Sequence, residues 1–282
     1  MAWFPPLRSR QRQAEWMDDP AADPGDLRRS LAYIRRINTL LGYTRASVGQ
    51  LRRFSRNWRP GETIRILDVA TGSADIPRAM LRWADRRGFD VRIVAVDIHA
   101  TTLKLAAQEP DPRTPSPGTP GEGRGGGDSS SIRDPQSEIR NREGPHPNPP
   151  PEYRERGNTQ RLRFVPADAL QLPFPDGSFD YAHTAMFLHH LDDAAAAAVL
   201  REMARVSRRG IVAADLLRHR RAYAWISLFT LGAGPMVRHD ARASVAQAFN
   251  KAEVLRLRDE AGVGFARYYR HFGHRFALAG ER

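Results

Sequence analysis

The chain has 282 residues, 41% of them hydrophobic, which is enough to bury a sizeable core in one large domain or two small ones. It contains no cysteine, so disulfides, thiolate metal sites and cysteine nucleophiles are excluded. The formal net charge is +12, carried almost entirely by arginine. A basic surface favours nucleic acid or anionic membranes, but these arginines are spread over several predicted helices, which is typical of a solvated surface.

No apolar run approaches the roughly 18 residues that a membrane-spanning helix needs. The opening residues Met1 to Pro6 are too few and too interrupted by proline for a secretory signal. We therefore expect a cytoplasmic protein for which peripheral membrane contact stays open. The composition and motifs predict no metal site.

Residues 1–60 are predicted to form an N-terminal helical cap. Apolar residues recur at helical spacing from about Asp26 to Leu41, and a second short helix is predicted over roughly Arg45 to Phe54. Two roles stay open for this segment. It either covers a substrate pocket or caps the edge of a sheet by packing.

A strand, a tight turn and a helix follow one another in residues 64–88. The apolar strand 64–69 contains an acid, Asp68, close to its end, and the small residues 70–74 form the turn. A helix begins near Asp75 and ends near Gly88. Such a unit brings backbone N–H groups close to a bound ligand. The carboxylate of Asp68 disfavours a phosphate there and favours a ligand that carries an ammonium group.

Two further predicted strands end in acids. The β-branched run 91–97 ends at Asp97, and the run 162–169 contains Asp168 near its end. A carboxylate at the end of the second strand can accept two hydrogen bonds from ribose hydroxyls, which indicates a nucleoside ligand. The turn and Asp97 are separated by the spacing of a βαβ unit, and together they are stronger evidence for a nucleoside-binding site than either is alone.

The sequence Asp-Val-Ala-Thr-Gly at 68–72 resembles the first motif of the class I S-adenosylmethionine-dependent methyltransferases, and is most similar to the quinone-biosynthesis-like small-molecule members. Ala70 and Ala74 stand where that motif usually has glycine, and alanine disfavours positive φ. A nicotinamide-binding unit would also need an acid at the position of Asp97, so Asp97 does not distinguish the two cofactors. Asp68 and the absence of Gly-x-Gly-x-x-Gly favour the methyl donor, S-adenosyl-L-methionine, as the cofactor.

The resemblance implies a set of cofactor contacts at the strand ends. Asp68 would meet the ammonium group, Asp97 the ribose, and Asp168 the adenine amino group while the Ala169 N–H meets a ring nitrogen. The loop 170–180, which leads into a fourth strand, is also characteristic of the family. The predicted cofactor-binding residues are Asp68, Ala70, Thr71, Gly72, Asp97, Ile98, Asp168, Ala169 and Ala185.

Residues 109–160 differ in character from the rest, being dense in Pro, Gly, Ser and alternating charge. Such a segment buries too little apolar surface to offset its ordering entropy, so we expect a disordered low-complexity insertion. It interrupts the methyltransferase domain, predicted over 61–282. The insertion serves as a surface spacer or, alternatively, as a proline-rich loop that binds a partner.

Two histidines are candidate catalytic bases. His190 follows the fourth strand, and His239 lies beside Asp240; imidazole has an unperturbed pKa suited to proton removal near neutrality. The alternative is that these residues are structural. Of the adjacent pair His189 and His190, one would cap the sheet and the other would hydrogen-bond to backbone, and Asp240 would be the N-cap of a helix.

The C-terminal part completes the predicted fold. A helix from Asp192 leads to a fifth strand at 210–216, and residues 250–253 form a capping box that opens another helix. The apolar runs 265–271 and 274–279 form a closing hairpin. We predict an α/β, Rossmann-like, seven-stranded, mostly parallel sheet with a C-terminal antiparallel hairpin and helices on both faces.

The predicted function is S-adenosylmethionine-dependent methyl transfer to a small hydrophobic or aromatic acceptor, by O- or C-methylation. The apolar helical run 225–231 supports such an acceptor, although ordinary core packing would explain it equally well. An RNA-directed methyltransferase and a non-catalytic regulatory protein that binds the donor are the alternatives.

Overall fold

The computed structural model describes residues 7–18, 42–108 and 161–282, together with 23, 25–26, 29–30 and 32–33. A seven-stranded sheet organises this part of the chain in the order β3-β2-β1-β4-β5-β7-β6. Strands β1 to β5 are parallel, while β7 runs antiparallel to β5 and β6. The predicted fold class is confirmed. The strands are β1 Thr63–Val69, β2 Asp90–Asp97, β3 Leu162–Pro166, β4 Phe179–Ala185, β5 Ser207–Leu216, β6 Arg267–His271 and β7 Arg275–Glu281.

Helices cover both faces of the sheet. They are α1 Tyr43–Phe54, α2 Asp75–Asp85, α3 Ala100–Gln108, α4 Asp193–Val206, α5 Arg220–Phe229, α6 Pro235–Gln247 and α7 Lys251–Glu260. No helix in the described ranges combines the length and apolarity that crossing a bilayer requires.

The core has two layers because successive residues of the central strands point to opposite faces. Leu67 and Val69 of β1 pack with residues of α4 and α7 on one face. Ile64 and Ile66 pack with residues of α1, α2 and α6 on the other. A parallel sheet covered on both faces places its ligand site at the carboxyl ends of the strands.

Local sequence signals explain several helix boundaries. The Asp192 side chain accepts a hydrogen bond from the Ala195 N–H at 2.7 Å and caps α4. Asn250 and Glu253 form the predicted capping box at the start of α7, with both reciprocal hydrogen bonds present. The closing hairpin turns at Gly273, whose φ is 76°.

The first-motif turn adopts the glycine-type backbone although it contains alanine. Ala70 and Ala74 have φ of 55° and 54°, in the left-handed region. An L-residue there costs roughly 1 kcal/mol relative to glycine. The turn of this chain therefore keeps the shape of the glycine motif at some cost in stability.

Two sequence predictions fall wholly or partly outside the described ranges. The insertion predicted at 109–160 lies outside them. The N-terminal helix predicted from about Asp26 is described only in part, and its described residues 26, 29–30 and 32–33 are helical. The second predicted helix is observed as α1, beginning two residues earlier.

Candidate active site

A cavity of about 970 Å³ opens at the carboxyl ends of β1, β4 and β5. Chain order reverses between β1 and β4, and the crevice at such a switch point is where open α/β sheets bind ligands. The first-motif turn 70–73 forms one wall, together with Ala185 and Met186 after β4. The other walls come from residues 15–17 of the N-terminal segment, α5, α6 and the β6–β7 turn.

Asp97 holds the first-motif turn in place. Its Oδ2 accepts a hydrogen bond from the Gly72 N–H at 3.0 Å, and its Oδ1 accepts one from the His99 N–H at 3.0 Å. The Thr71 N–H donates to the Val96 carbonyl at 2.9 Å, which ties the turn to β2. Each carboxylate oxygen has a second lone pair, so Asp97 keeps capacity to accept further hydrogen bonds from a ligand.

The turn has the features of a ligand cradle. The Thr71 Oγ1 is buried and has no hydrogen-bond partner within the part of the chain that the structure describes. A Cβ added at Gly72 would meet nothing within 4 Å, so open space lies beside the turn. A polar ligand in the cavity would satisfy the Thr71 hydroxyl. The residues present therefore fit a small polar group bound at this turn.

Asp68 does not reach the cavity. Its side chain is 3% exposed and hydrogen-bonds to the Nδ1 of His183, whose Nε2 lies 2.9 Å from the Ser47 hydroxyl. Asp68 is not among the cavity-lining residues. The direct contact predicted between Asp68 and an ammonium group stays a prediction, and in this structure the Asp68 carboxylate is bonded to His183 of β4.

The other predicted acids share one edge of the sheet. Strands β1 to β3 are parallel, with Val69 opposite Val96 and Asp97 opposite Pro166, so their carboxyl ends align. Asp168 is exposed just beyond β3, and its Oδ1 accepts from the Leu170 N–H at 2.8 Å. Asp97, Ile98, Asp168 and Ala169 are not among the residues that line the cavity.

A carboxylate and two imidazoles meet at one end of the cavity. The His189 Nε2 lies 3.7 Å from the Oε1 of Glu15, and the His190 Nε2 lies 3.9 Å from its Oε2. Glu15 and His189 are almost completely buried, whereas His190 is partly exposed. We refer to Glu15, His189 and His190 as the acid–imidazole pole. His190 was a predicted base; no sequence motif indicated Glu15.

The N-terminal segment is fixed over the cavity by charged hydrogen bonds. Arg10 donates to the Leu191 carbonyl at 2.6 Å, pairs with Asp193 at 2.6 Å and lies 3.7 Å above the ring of Phe249. The Trp16 and Met17 N–H groups donate to the Asp240 carboxylate at 2.8 and 3.1 Å. These anchors place Glu15 against the two histidines.

The predicted N-cap role of Asp240 is wrong, because Asp240 lies in the middle of α6, which begins at Pro235. Its carboxylate instead accepts from the backbone of the N-terminal segment. The His239 ring stacks on Trp16 with centroids 4.3 Å apart and is not among the residues lining the cavity. The predicted catalytic role of His239 is therefore not supported by its position.

Comparison with known families agrees with this architecture. The family model described as "Methyltransferase domain" matches residues 146–214, which contain β3, β4 and most of β5. Over these residues the chain resembles a methyltransferase domain.

Solved structures with the same fold are distant in sequence. The plantazolicin methyltransferase BpumL in complex with SAH is 9% identical, with a TM-score of 0.58, and the match covers 95% of this chain and 92% of that one. PigF with SAH is 14% identical, with a TM-score of 0.52, over 96% and 62%. A putative S-adenosyl-L-methionine-dependent methyltransferase from Methanococcus maripaludis is 12% identical, with a TM-score of 0.50, over 89% and 91%. At these identities the likeness shows the fold.

The remaining lining of the cavity is partly apolar and partly basic. Trp225 and Phe229 of α5 line the cavity and are 56% and 53% exposed, so they also form its rim. Arg221 of the same helix lines the cavity too, as do Arg270 and Arg275 of the β6–β7 hairpin, and these arginines form its basic side. The Nε of Arg275 is buried with no hydrogen-bond partner in the described ranges, so this side favours an anionic group.

Two more histidines lie on the basic side. Burial lowers the pKa of His271, and burial together with His219 and nearby arginines lowers the pKa of His274. Both rings are therefore neutral at pH 7, and the positive charge on this side comes from arginine.

Proposed function

We propose that this chain is a methyltransferase that uses S-adenosyl-L-methionine as its cofactor and transfers the methyl group to a hydroxyl oxygen of a small aromatic acceptor. The observation that carries this proposal is a single cavity with three different walls. The first-motif turn lies on one wall, the acid–imidazole pole on another, and the aromatic side chains of α5 on a third. Donor and acceptor bound in that cavity would be neighbours.

The proposed donor contacts lie at the carboxyl ends of the strands. Asp97 accepts from the ribose, Asp168 and Ala169 meet the adenine, and Ile98, which is 64% exposed, covers the adenine face. The methionine portion lies against the turn and the end of β4, contacted by Ala70, Thr71, Gly72 and Ala185. When bound, the donor supplies an electrophilic methyl group on a sulfonium.

The chain itself contributes positioning and proton removal. Holding two reactants in attack geometry supplies a large part of the rate enhancement in such transfers. A hydroxyl acceptor must also lose its proton, and the acid–imidazole pole offers His190 and Glu15 for that task. The pole lies in the same cavity as the turn, which favours a hydroxyl over an acceptor with no acidic proton.

The aromatic side chains at the rim of the cavity indicate the class of acceptor. Trp225 and Phe229 present ring faces at the mouth of the cavity, with stacked centroids 5.4 Å apart. Aromatic side chains bind flat apolar ligands well. The resemblance of the first motif to quinone-type relatives also supports a ring-bearing acceptor.

A Trp225→Ala variant tests the acceptor class. We expect KM for a phenol acceptor to rise about tenfold, since an aromatic contact of roughly 1–1.5 kcal/mol is lost. The donor Kd, measured by calorimetry, should stay unchanged because Trp225 is not one of the proposed donor contacts. The wild-type chain is first assayed with labelled donor against phenols, quinones and RNA. Salt-sensitive methylation of RNA alone, or label on carbon only, would overturn the proposal.

A further inference from the structure

We propose that the acid–imidazole pole is a binding site for one divalent transition-metal ion of the zinc type. The pole offers one carboxylate oxygen and two imidazole nitrogens, all within 4.8 Å of one another. Two ligands about 2.0–2.1 Å from a tetrahedral ion are roughly 3.4 Å apart. The observed separations of 3.7 and 3.9 Å from the Glu15 oxygens are close to that value, so small rotations of the side chains would complete the site.

The protonation pattern of His189 leaves a lone pair aimed at Glu15. The His189 Nδ1 lies 2.7 Å from the Oδ1 of Asp215. Because a carboxylate only accepts hydrogen bonds, the Nδ1 carries the proton. The Nε2 is then an acceptor. It is buried without a hydrogen-bond partner in the described part of the chain. Two acceptors face each other across 3.7 Å, which is too long for a hydrogen bond and suits an intervening cation.

The surroundings hold both groups in that orientation. The Glu15 Oε1 accepts from the Ser244 hydroxyl and from the Gln247 amide, each at 2.7 Å, so Oε2 is the oxygen that would bind the ion. Asp215 also accepts from the His189 N–H at 3.1 Å, which fixes the backbone beside the ring. A carboxylate behind the distal nitrogen of an imidazole ligand is the usual support of metal-bound histidine. A buried carboxylate such as Glu15 also needs a compensating positive charge.

The site would have an open position on the cavity side. His190 is partly exposed and lines the cavity, so three protein ligands leave room for a water or an acceptor oxygen. Glu15 and His190 would then be ligands of the ion and not proton acceptors, and a hydroxyl bound at the open position would release its proton to solvent at lower pH than in water, because the ion stabilises the oxyanion. This consequence rests on the proposed function, whereas the metal site itself does not.

Cobalt binding tests the site without any methyl transfer. The untagged chain at pH 7.5 is titrated with Co²⁺ alone and followed by visible absorption, then by competition with Zn²⁺. We expect one equivalent of Co²⁺ with the intense bands of a four- or five-coordinate ion, displaced by Zn²⁺.

Three variants localise the ion. Glu15→Gln keeps the side-chain volume, and we expect a loss of at least 100-fold in Co²⁺ affinity. Asp215→Asn should weaken binding about 10- to 100-fold, because the support of His189 is lost. His274→Asn is the matched control, since this histidine lines the same cavity away from the pole and its backbone φ of 56° is tolerated by asparagine. It should bind Co²⁺ as the wild type does.

Absence of stoichiometric Co²⁺ binding by the folded wild-type chain would overturn the metal site, as would unchanged binding by a folded Glu15→Gln variant. Folding is checked by circular dichroism. Methyl transfer without Co²⁺ or Zn²⁺ binding would disprove the metal site alone. Metal binding without any phenol methylation would disprove the proposed acceptor alone.

Discussion

At the scale of single residues, Asp97 joins the two parts of the proposed donor site. Its two oxygens accept from the Gly72 and His99 N–H groups, so the carboxylate sets the position of the first-motif turn relative to β2. In the proposed donor site the same oxygens would also accept hydrogen bonds from the ribose. A single side chain would then both shape the turn and contact the ligand.

Replacement of Asp97 by alanine should weaken donor binding at least tenfold. Loss of a buried acceptor of two hydrogen bonds costs more than about 1.4 kcal/mol, since bonds to charged groups contribute roughly 1.5–3 kcal/mol each. Calorimetry with S-adenosylhomocysteine measures the effect. Asp90→Ala, at the amino end of the same strand, is the control and should leave the affinity unchanged. A folded Asp97→Ala chain with wild-type affinity would contradict the assignment.

At the scale of elements, the antiparallel hairpin lies very close to β5. A Cβ added at Gly210 would lie 2.2 Å from the Gly280 carbonyl oxygen, and one added at Gly280 would lie 2.4 Å from the Phe265 carbonyl oxygen. The contacting atoms belong to the backbone and cannot rotate away. Glycine is therefore required at 210 for β7 to pair with β5, and at 280 for the backbone at 265–266 to pack against β7.

Gly210→Ala should destabilise the fold by about 1–3 kcal/mol or more, as overpacking does when backbone must shift. Urea unfolding monitored by circular dichroism measures the change. Gly264→Ala serves as the control, since its Cβ would meet nothing within 4 Å, and should shift stability by no more than about 0.5 kcal/mol. Equal stability of the two variants would show that the hairpin accommodates the methyl group.

The start of α7 is held by an ion pair with Arg218. The Arg218 guanidinium donates to both Glu253 oxygens, at 2.6 and 3.0 Å. Burial raises the pKa of Glu253, but hydrogen bonds from Arg218 and from the Asn250 N–H outweigh it and lower the pKa below its ordinary value. A carboxyl with a lowered folded pKa stabilises the fold above its unfolded pKa of about 4.3, and this stabilisation is lost as the pH falls through the folded pKa.

Glu253→Gln should therefore lower the free energy of unfolding by about 1.5–3 kcal/mol at pH 7, the value of hydrogen bonds to a charged group. The difference from the wild type should shrink as the pH falls from about 4.3 towards 3, because the wild-type carboxyl becomes protonated. Urea unfolding at several pH values tests both statements. Glu260→Gln, exposed at the end of the same helix, is expected to match the wild type throughout. A pH-independent difference would exclude the ion pair as its source.

At the scale of the whole molecule, the sheet is assembled from segments far apart in the chain. Helix α3 ends at Gln108, and the edge strand β3 begins at Leu162. Strand β3 pairs with β2 from Leu162 to Pro166. The interval between them, 109–160, lies outside the described residues, and its role as a spacer stays a prediction.

Deletion of residues 112–158, with the ends rejoined by a short Gly-Ser linker, should leave donor affinity unchanged. Closure entropy varies only with the logarithm of loop length, so shortening the connection changes stability little. Calorimetry on the deleted and full chains makes the comparison. Loss of donor binding with the circular dichroism spectrum intact would contradict the spacer hypothesis.

Local patterns in the sequence determine much of the fold without any reference to tertiary contacts. Apolar runs ending in Asp97 and near Asp168 marked the strand ends, and Asn250 with Glu253 marked the start of a helix. These features depend on residues that are neighbours in sequence, and their geometry follows from backbone periodicity and capping. The prediction of seven mostly parallel strands with a closing antiparallel hairpin then followed from the family resemblance carried by the first motif.

Only the tertiary structure decided what the cavity contains. Glu15 meets His189 and His190 because Arg10 and Asp240 fix the N-terminal segment across the strand ends, and no local pattern encodes that contact. The strand position of Asp68 likewise did not reveal that His183 would occupy its carboxylate. Periodicity predicts which elements form, but the partner of a buried polar side chain depends on which elements pack together, and that is settled by long-range packing.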